Sequence, residues 1–377
     1  MKKVIVLGCT GSIGASTMDI IAQFPGEFSV EALSAHSARS SEILLKYKSV
    51  YGGAKLALTG VETPPEGIDY AGTDGLLRMI EETGADIVVN GISGAAGLLP
   101  SIKSLESGKD LALANKETIV TAGDLIFALA EKMGCTILPV DSEHSALFHL
   151  LMGRDPDTVS ELILTASGGP FVDMPFEEQK GVTPARALKH PNWDMGAKIS
   201  IDSATLANKG LEVIEAWKLF HLPLDRISVL VHRQSLVHSL IRTKDNALYG
   251  QFSSPDMKLP IQNALFYPEL RPVEAAYTDL CGPALTFEKP DRKRFPMLDL
   301  AYKSAELGGP APIVYNGSNE IAVAAFLKEE IGFTQIGEVT DAMLNLSWPD
   351  PQNTLEGIEE VDRLSRERSL AFIGEKL

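Results

Sequence analysis

Residues 4 to 17, "VIVLGCTGSIGAST", decide how the first half of this chain is read. Val4 to Leu7 form an apolar, β-branched run suited to a buried strand, and a helical pattern begins near Ser12. Between them stand Gly8 and Gly11, with Gly14 just beyond. Glycines at a strand-to-helix turn allow a tight reversal and let backbone N–H groups approach a pyrophosphate at the helix N-terminus, which is the logic of a dinucleotide site. The spacing G-x-x-G-x-x-G is looser than the usual fingerprint, and a glycine triplet alone also serves as a plain turn. Its place at the first strand-to-helix turn of an alternating segment favours the binding reading.

Working outward, "KKVIVLG", "FSVEALSA", "KLALTG", "ADIVVNG", "DLALAN" and "TILPV" are short, strand-like runs separated by amphipathic stretches. This alternation predicts a parallel, doubly wound, Rossmann-like α/β sheet over residues 1–150. Over 151–270 the strand-like runs "ELILTAS", "ISVLVHR", "LVHSLIRT" and "ALYGQF" lie closer together and predict a second, mixed α/β domain. Residues 271–296, rich in proline and charge, read as a linker. Helical periodicity near 297 to 307, 319 to 329, 335 to 346 and 354 to 374 predicts a helical C-terminal domain over 297–377.

With 377 residues, 45% hydrophobic and 22% charged, the composition predicts a globular chain of two or three domains. The first apolar run, Val4 to Cys9, is too short for a signal segment, and no later run approaches a membrane span. Cys9, Cys135 and Cys281 show neither metal-knuckle nor disulfide spacing, which fits a reducing cytoplasm. A formal net charge of −16 argues against nucleic-acid binding. Any anionic ligand would therefore need local helix N-termini, cationic side chains or a metal ion.

The end of the second strand is where an adenosine ribose would sit. An NAD site prefers a carboxylate there, whereas this chain has Ser34, His36, Ser37, Arg39 and Ser40, which suit a 2′-phosphate and favour NADP(H). A solvated loop carrying Arg39 is the bland alternative. "NGISGAAG" (90 to 97) and "LANKET" (113 to 118) also end strands at the ligand-binding edge of such a sheet. Lys116 can reach a reacting centre from there, or simply pair with Glu117.

"TILPVDSEHSALFHLL", residues 136 to 151, sets Asp141, Glu143 and His144 directly after an apolar run. If the strand continues, Asp141 and Glu143 point the same way, about 6 to 7 Å apart, and Ser142 points oppositely. Such carboxylates share a proton, bind a cation or sit solvated. The clearest third ligand lies in "SATLANKGLEVIEAWKLF" (203 to 220), read as one helix with Ser203 as N-cap. Asn208, Lys209 and Glu212 would share its face. Lysine, asparagine and serine suit an anion, and Glu212 among them makes sense with a cation between. Carboxylates without a histidine or cysteine ligand favour Mg²⁺ or Mn²⁺, with Co²⁺ a further option. Ser167 in "TASGGPF" is a strand-end turn suited to an anion, and "HPNWDMG" places His190, Trp193 and Met195 on a loop. Trp193 is read equally as a lid or as a core anchor.

These stretches, with "VHRQSLVHSLI", "SPDMKLPI" and "YNGSNEIAVAAF", resemble in order and along nearly the whole chain the 1-deoxy-D-xylulose 5-phosphate reductoisomerases. The resemblance implies an NADPH- and divalent-metal-dependent homodimer, with a nucleotide domain, a catalytic and dimerisation domain and a C-terminal helical domain. It implies conversion of a small phosphorylated sugar, 1-deoxy-D-xylulose 5-phosphate, to 2-C-methyl-D-erythritol 4-phosphate. By motif match Asp141, Glu143 and Glu212 are implied as metal ligands, and Lys116, Glu143, His144 and Glu212 as the catalytic set. Ser142, Glu143, Ser167, His190, Trp193, Ser203, Asn208, Lys209 and Glu212 are implied substrate contacts, with His238 and Met257 in motifs lining the site. Thr10, Gly11, Ser12, Ile13, Asn115 and Glu117 match cofactor contacts, and His36, Ser37 and Arg39 are assigned to the 2′-phosphate. The family often has a Gly-Lys-Asn type sequence there, where this chain has His36, Ser37 and Ala38. A decarboxylating hydroxy-acid dehydrogenase and an NADPH-sensing regulator are the rival readings. The cluster Ser203 to Lys209 argues against the first and three converging carboxylates against the second.

Overall fold

The computed structural model describes residues 1–189, 195–272, 278–282 and 284–376. Seven strands form the first sheet: β1 (Lys2–Leu7), β2 (Phe28–Ala35), β3 (Lys55–Leu58), β4 (Tyr70–Ala71), β5 (Ile87–Asn90), β6 (Asp110–Leu113) and β7 (Ile137–Pro139). Helices α1 (Ser12–Gln23), α2 (Ser41–Val50), α3 (Gly72–Glu82), α4 (Leu98–Glu106) and α5 (Lys116–Met133) lie between them, and α6 (Ser142–Leu151) follows. All pairings are parallel, in the order β4-β3-β2-β1-β5-β6-β7. Val4 to Leu7 and Ile87 to Val89 have no exposed surface, as strands covered on both faces require. The strand order reverses between β1 and β5, so the crevice for a ligand opens at their carboxyl ends. The two-residue strand β4 lay outside the expected set, because so short a run leaves no periodicity.

The second sheet contains β8 (Val159–Ala166), β9 (Ile227–Val231), β10 (Val237–Thr243) and β11 (Leu248–Phe252). Its order is β11-β10-β8-β9, with β8 and β9 parallel and β10 antiparallel to both neighbours, the mixed sheet expected. Between β8 and β9 lie two single turns, α7 (Phe176–Gln179) and α8 (Pro184–Ala187), and the longer α9 (Ala197–Thr205) and α10 (Ala207–Phe220). After α11 (Lys258–Phe266) come four helices: α12 (Pro296–Leu307), α13 (Ala311–Leu327), α14 (Gln335–Leu344) and α15 (Leu355–Lys376).

The chain divides into two compact units. One comprises Met1–Thr118, Ile126–Ser145 and Asp256–Ala275, and the other Ile119–Leu125, Ala146–Pro255 and Ala276–Leu377. The boundaries expected at 150, 270 and 296 do not coincide with this division. Residues 256 to 275 return to the first unit, where Phe266 of α11 meets Phe24 and Phe28 edge-on at 4.8 and 4.9 Å. The C-terminal helices join the second sheet's unit, since Gly210 of α10 leaves no room for a Cβ beside Tyr315 of α13 and Ala301 of α12. The segment read as a linker is partly pinned, with Val231 bridging Glu288 through backbone hydrogen bonds of 2.8 and 2.9 Å.

Two local expectations are corrected. The strand before Asp141 stops at Pro139, and Ser142 already begins α6. Acidic residues at a helix start are favoured by the helix dipole, and the apolar residues that follow keep a helical spacing. Asp141 and Glu143 are therefore not same-face neighbours on a strand, and the expectation that Ser142 points oppositely to them does not apply. Ser203 is not an N-cap either, because it lies inside α9. Leu206, with φ of 61°, breaks the stretch read as one helix into α9 and α10. Leucine carries no local signal for a left-handed backbone, so the break was not legible.

Candidate active site

The turn after β1 is shaped by backbone contacts that a side chain would block. Gly8 has φ of +72°, and a Cβ there would lie 3.1 Å from Gly91 O. A Cβ on Gly14 would stand 2.3 Å from Gly8 O and from Cys9 Cα. The turn is fastened to β2 by Gly8 N–H donating to Ser34 Oγ at 3.2 Å and by Cys9 N–H donating to Ser34 O at 2.9 Å. Thr10, Gly11 and Ser12 are exposed and Ile13 half-buried. Because α1 starts at Ser12, its first-turn N–H groups lack partners four residues back and face a position where an anion fits.

The loop after β2 returns to the same turn. Ser40 Oγ donates to Thr10 Oγ1 at 3.5 Å, and Ser37 Oγ accepts from Arg39 N–H at 3.2 Å. His36 shares a 3.0 Å hydrogen bond with Thr59 Oγ1. His36, Ser37 and Arg39 are all exposed, and no carboxylate stands between Ser34 and Ser41. Asn115 is buried and fully engaged: Nδ2 donates to Ile92 O and Gly94 O at 2.7 and 2.8 Å, while Oδ1 accepts from Thr118 N–H at 2.8 Å and Thr118 Oγ1 at 2.5 Å. Its side chain holds the loop after β5 against the start of α5, a shaping role. Glu117 is buried on the first turn of α5.

In the same unit, Lys116 Nζ lies 2.5 Å from Asp141 Oδ2, and both side chains are nearly buried. Burial alone would push the Asp141 carboxyl up, but the Lys116 charge and hydrogen bonding from His144 hold it well below the usual range. His144 Nδ1 is 3.3 Å from Asp141 Oδ1, which also accepts from Glu143 N–H at 3.3 Å. Ser142 Oγ donates to Glu143 Oε2 at 2.5 Å. Oxygen donors at a helix start are the donor type that suits a hard cation.

The second unit supplies another charged group. Asn208 Nδ2 donates to Glu212 Oε1 at 2.5 Å and Lys209 Nζ donates to Glu212 Oε2, all on the first turns of α10. Glu212 and Lys209 are buried. After β8, Gly168 and Gly169 have φ of +87° and +68°, and Gly169 passes so close to α9 that a Cβ would lie 2.6 Å from Ser203 O. Gly169 N–H donates to Ser167 Oγ at 3.2 Å. Ser167 and Ser203 thus belong to one contact between the glycine turn and the C-terminal end of α9. His238 is buried on β10. His190 and Trp193 lie outside the described residues, and Met195 stands just before α9.

One buried carboxylate was missed by the sequence reading. Asp202 accepts from Asn319 Nδ2 and Lys198 Nζ, each at 2.8 Å, and ties α9 to α13 beside Ser203. Its signal was an acidic residue on the apolar side of a helix, flanked by Ile201 and Ala204.

Three family models match the chain. That for 1-deoxy-D-xylulose 5-phosphate reductoisomerase matches residues 4–123, and two for its C-terminal domains match residues 137–220 and 252–368. A reductoisomerase of that name from Chlorobaculum tepidum is 44% identical over 384 residues, covering 99% of this chain and 100% of the relative. One from Treponema denticola is 44% identical over 379 residues, covering 99% and 97%. Among solved structures, the reductoisomerase from Zymomonas mobilis in complex with NADPH superposes with a TM-score of 0.92 at 39% identity, covering 100% of both chains. A DOX-P reductoisomerase in complex with NADPH, fosmidomycin and magnesium gives 0.91 at 37% identity, covering 99% of this chain and 98% of that one. With its alternating glycine-turn unit and its lysine-paired carboxylates matched from end to end, this chain belongs to the 1-deoxy-D-xylulose 5-phosphate reductoisomerase family.

Proposed function

We propose that the chain performs its family's reaction with the residues just described. The reaction is the NADPH- and divalent-metal-dependent isomerisation and reduction of 1-deoxy-D-xylulose 5-phosphate to 2-C-methyl-D-erythritol 4-phosphate, in isoprenoid precursor biosynthesis. The observation that carries the residue assignment is that each carboxylate cluster has its own lysine, Lys116 Nζ against Asp141 and Lys209 Nζ against Glu212.

Asp141, Glu143 and Glu212 would hold the cation, and an all-oxygen donor set fits Mg²⁺ or Mn²⁺. When bound, the cation supplies Lewis-acid polarisation of the substrate's carbonyl and hydroxyl oxygens, and NADPH supplies hydride. Lys116 keeps Asp141 ionised although it is withdrawn from water, and Lys209 donates to Glu212. Ser142 and Asn208 orient Glu143 and Glu212 by hydrogen bonds and offer polar groups to the substrate's hydroxyls. Ser167, Ser203, Asn208, Lys209 and His190 are assigned to the substrate phosphate, and Trp193 to covering it. His144 fixes Asp141 through its ring nitrogen. The glycine turn, through Thr10 to Ile13, is assigned to the NADPH pyrophosphate, and His36, Ser37 and Arg39 to its 2′-phosphate. Asn115 shapes the adjoining loop, and Glu117 stands beside it.

The deciding assay is NADPH oxidation by the purified chain with 1-deoxy-D-xylulose 5-phosphate, with and without Mg²⁺ or Mn²⁺. Metal-dependent turnover is expected, and its absence with both ions would sink the assignment.

Two finer readings accompany this one. A homodimer is supported by β11, an edge strand among the described residues, on which Leu248, Tyr249 and Phe252 are exposed. Light scattering should give twice the chain mass, and a monomer at micromolar concentration would refute it. A cytoplasmic location is supported by the free thiols Cys9, Cys135 and Cys281, and among the described residues no helix is long and apolar enough to cross a membrane. Cell fractionation tests it, and recovery in a secreted fraction would count against it.

A further inference from the structure

Two consecutive residues, His232 and Arg233, grip the two ends of the glycine turn that follows β8. At the entrance, His232 N–H donates to Ala166 O at 2.7 Å, directly before Ser167. At the exit, Arg233 Nη1 and Nη2 donate to Asp173 Oδ2 and Oδ1 at 2.6 and 2.9 Å, a two-pronged contact that fixes the carboxylate's orientation. The same guanidinium donates through Nε and Nη2 to Glu288 at 2.8 and 3.1 Å. Its own position is thereby set against the strand-like contact of Val231 with Glu288. His232 adds rigidity there, its ring stacked on Phe287 with centroids 4.7 Å apart and its Nδ1 2.9 Å from Thr286 O. Arg294 Nη1 holds the residue after Asp173, donating to Met174 O at 3.0 Å.

Between these anchors lie two glycines. Gly168 and Gly169 both sit in left-handed backbone, which glycine adopts without strain and which by itself fixes nothing. The turn's conformation is therefore set by what holds its ends and by the close approach of Gly169 to Ser203 O. We infer that Arg233 is a positioning residue for substrate phosphate recognition, acting through Asp173 to hold Ser167 and the adjoining backbone in their binding arrangement. It touches neither substrate nor cofactor in this role. The inference rests on the reading that Ser167 contacts the phosphate.

A phosphate-specific role separates from a general structural one by comparing substrates. In the full-length enzyme, Arg233→Met is expected to raise KM for 1-deoxy-D-xylulose 5-phosphate about three- to tenfold, with a smaller change in kcat and an unaltered KM for NADPH. With unphosphorylated 1-deoxy-D-xylulose, kcat/KM should be the same in parent and variant. Arg233→Lys should recover only part of the loss, because an ammonium cannot make the forked contact. Asp173→Asn should reproduce the effect, and the double variant should be no worse than either alone. Equal losses with both substrates, or a raised KM for NADPH, would overturn the positioning role in favour of general destabilisation. Ser167→Ala serves as the control. If it raises KM for the phosphorylated substrate while Arg233→Met does not, the inference fails. If Ser167→Ala leaves that KM unchanged, the assignment of Ser167 fails and takes the inference with it.

Discussion

Lys116 holds its ammonium 2.5 Å from Asp141 Oδ2, with both side chains at or below 10% exposure. Two residues at the ends of adjacent strands, one starting α5 and the other preceding α6, thus form a nearly dry ion pair beside Glu143. The fixed cation keeps Asp141 ionised, the state that the proposed divalent ion would require.

Neutralising Asp141 takes a counter-charge away from a nearly buried ammonium. Asp141→Asn should lower metal-dependent turnover by at least about a hundredfold and destabilise the metal-free protein by roughly 3 kcal/mol. Thermal unfolding and a metal titration check both parts. A variant of unchanged stability would show that Lys116 is better solvated than its burial indicates.

Glu212 anchors the corresponding group on α10, accepting from Asn208 and Lys209. Glu212→Gln keeps the shape but removes the charge. Activity with Mg²⁺ or Mn²⁺ is expected to fall by orders of magnitude, while NADPH affinity, read by nucleotide fluorescence, changes less than about twofold. Loss of NADPH binding instead would displace Glu212 from the metal site.

The glycine turn gives a steric test. A methyl group on Gly14 would lie 2.3 Å from Gly8 O, so Gly14→Ala must open the turn. NADPH affinity should drop by more than about tenfold, because the backbone N–H groups lose their common aim. The far-ultraviolet circular dichroism of the variant should stay close to that of the parent. Full NADPH affinity in Gly14→Ala would contradict the assignment of this turn.

His238 predicts a pH dependence of stability. Burial lowers its pKa from the ordinary 6.5, outweighing the hydrogen bonds to Ser253 O and Ser254. The unfolded chain therefore binds a proton at a pH where the folded chain does not. Stability from this group is fully present above 6.5 and is lost as pH falls from there toward the folded value, by up to about 1.4 kcal/mol per pH unit. Melting temperatures of the parent and His238→Asn between about pH 5 and 8 should diverge on the acid side, with the variant flatter. Parallel curves would refute it.

The glycine turn, the parallel unit and the mixed second sheet were legible because period and punctuation are local properties. Val4 to Leu7, the glycines and the start of α1 report the turn without reference to the rest of the chain. Asp141 and Glu143 were legible as a candidate pair of carboxylates but not in their geometry. The strand-like run before them ends at Pro139, and nothing local shows whether strand or helix follows. Leu206 illustrates the opposite limit, because a leucine in left-handed backbone is held there by packing that no neighbour in sequence announces.

The amino-acid sequence by itself determined which residue types and motifs this protein carries, and with them its family and its α/β character. It also pointed to carboxylates and lysines, rather than thiols, as the candidates for its chemistry. Only the tertiary structure decided which lysine meets which of the site carboxylates: Lys116 with Asp141, and Lys209 with Glu212. Likewise only the fold set Arg233 against Asp173, sixty residues apart. Charge pairing depends on distance and burial, and those follow from strand order and helix break-points, which local sequence patterns do not encode.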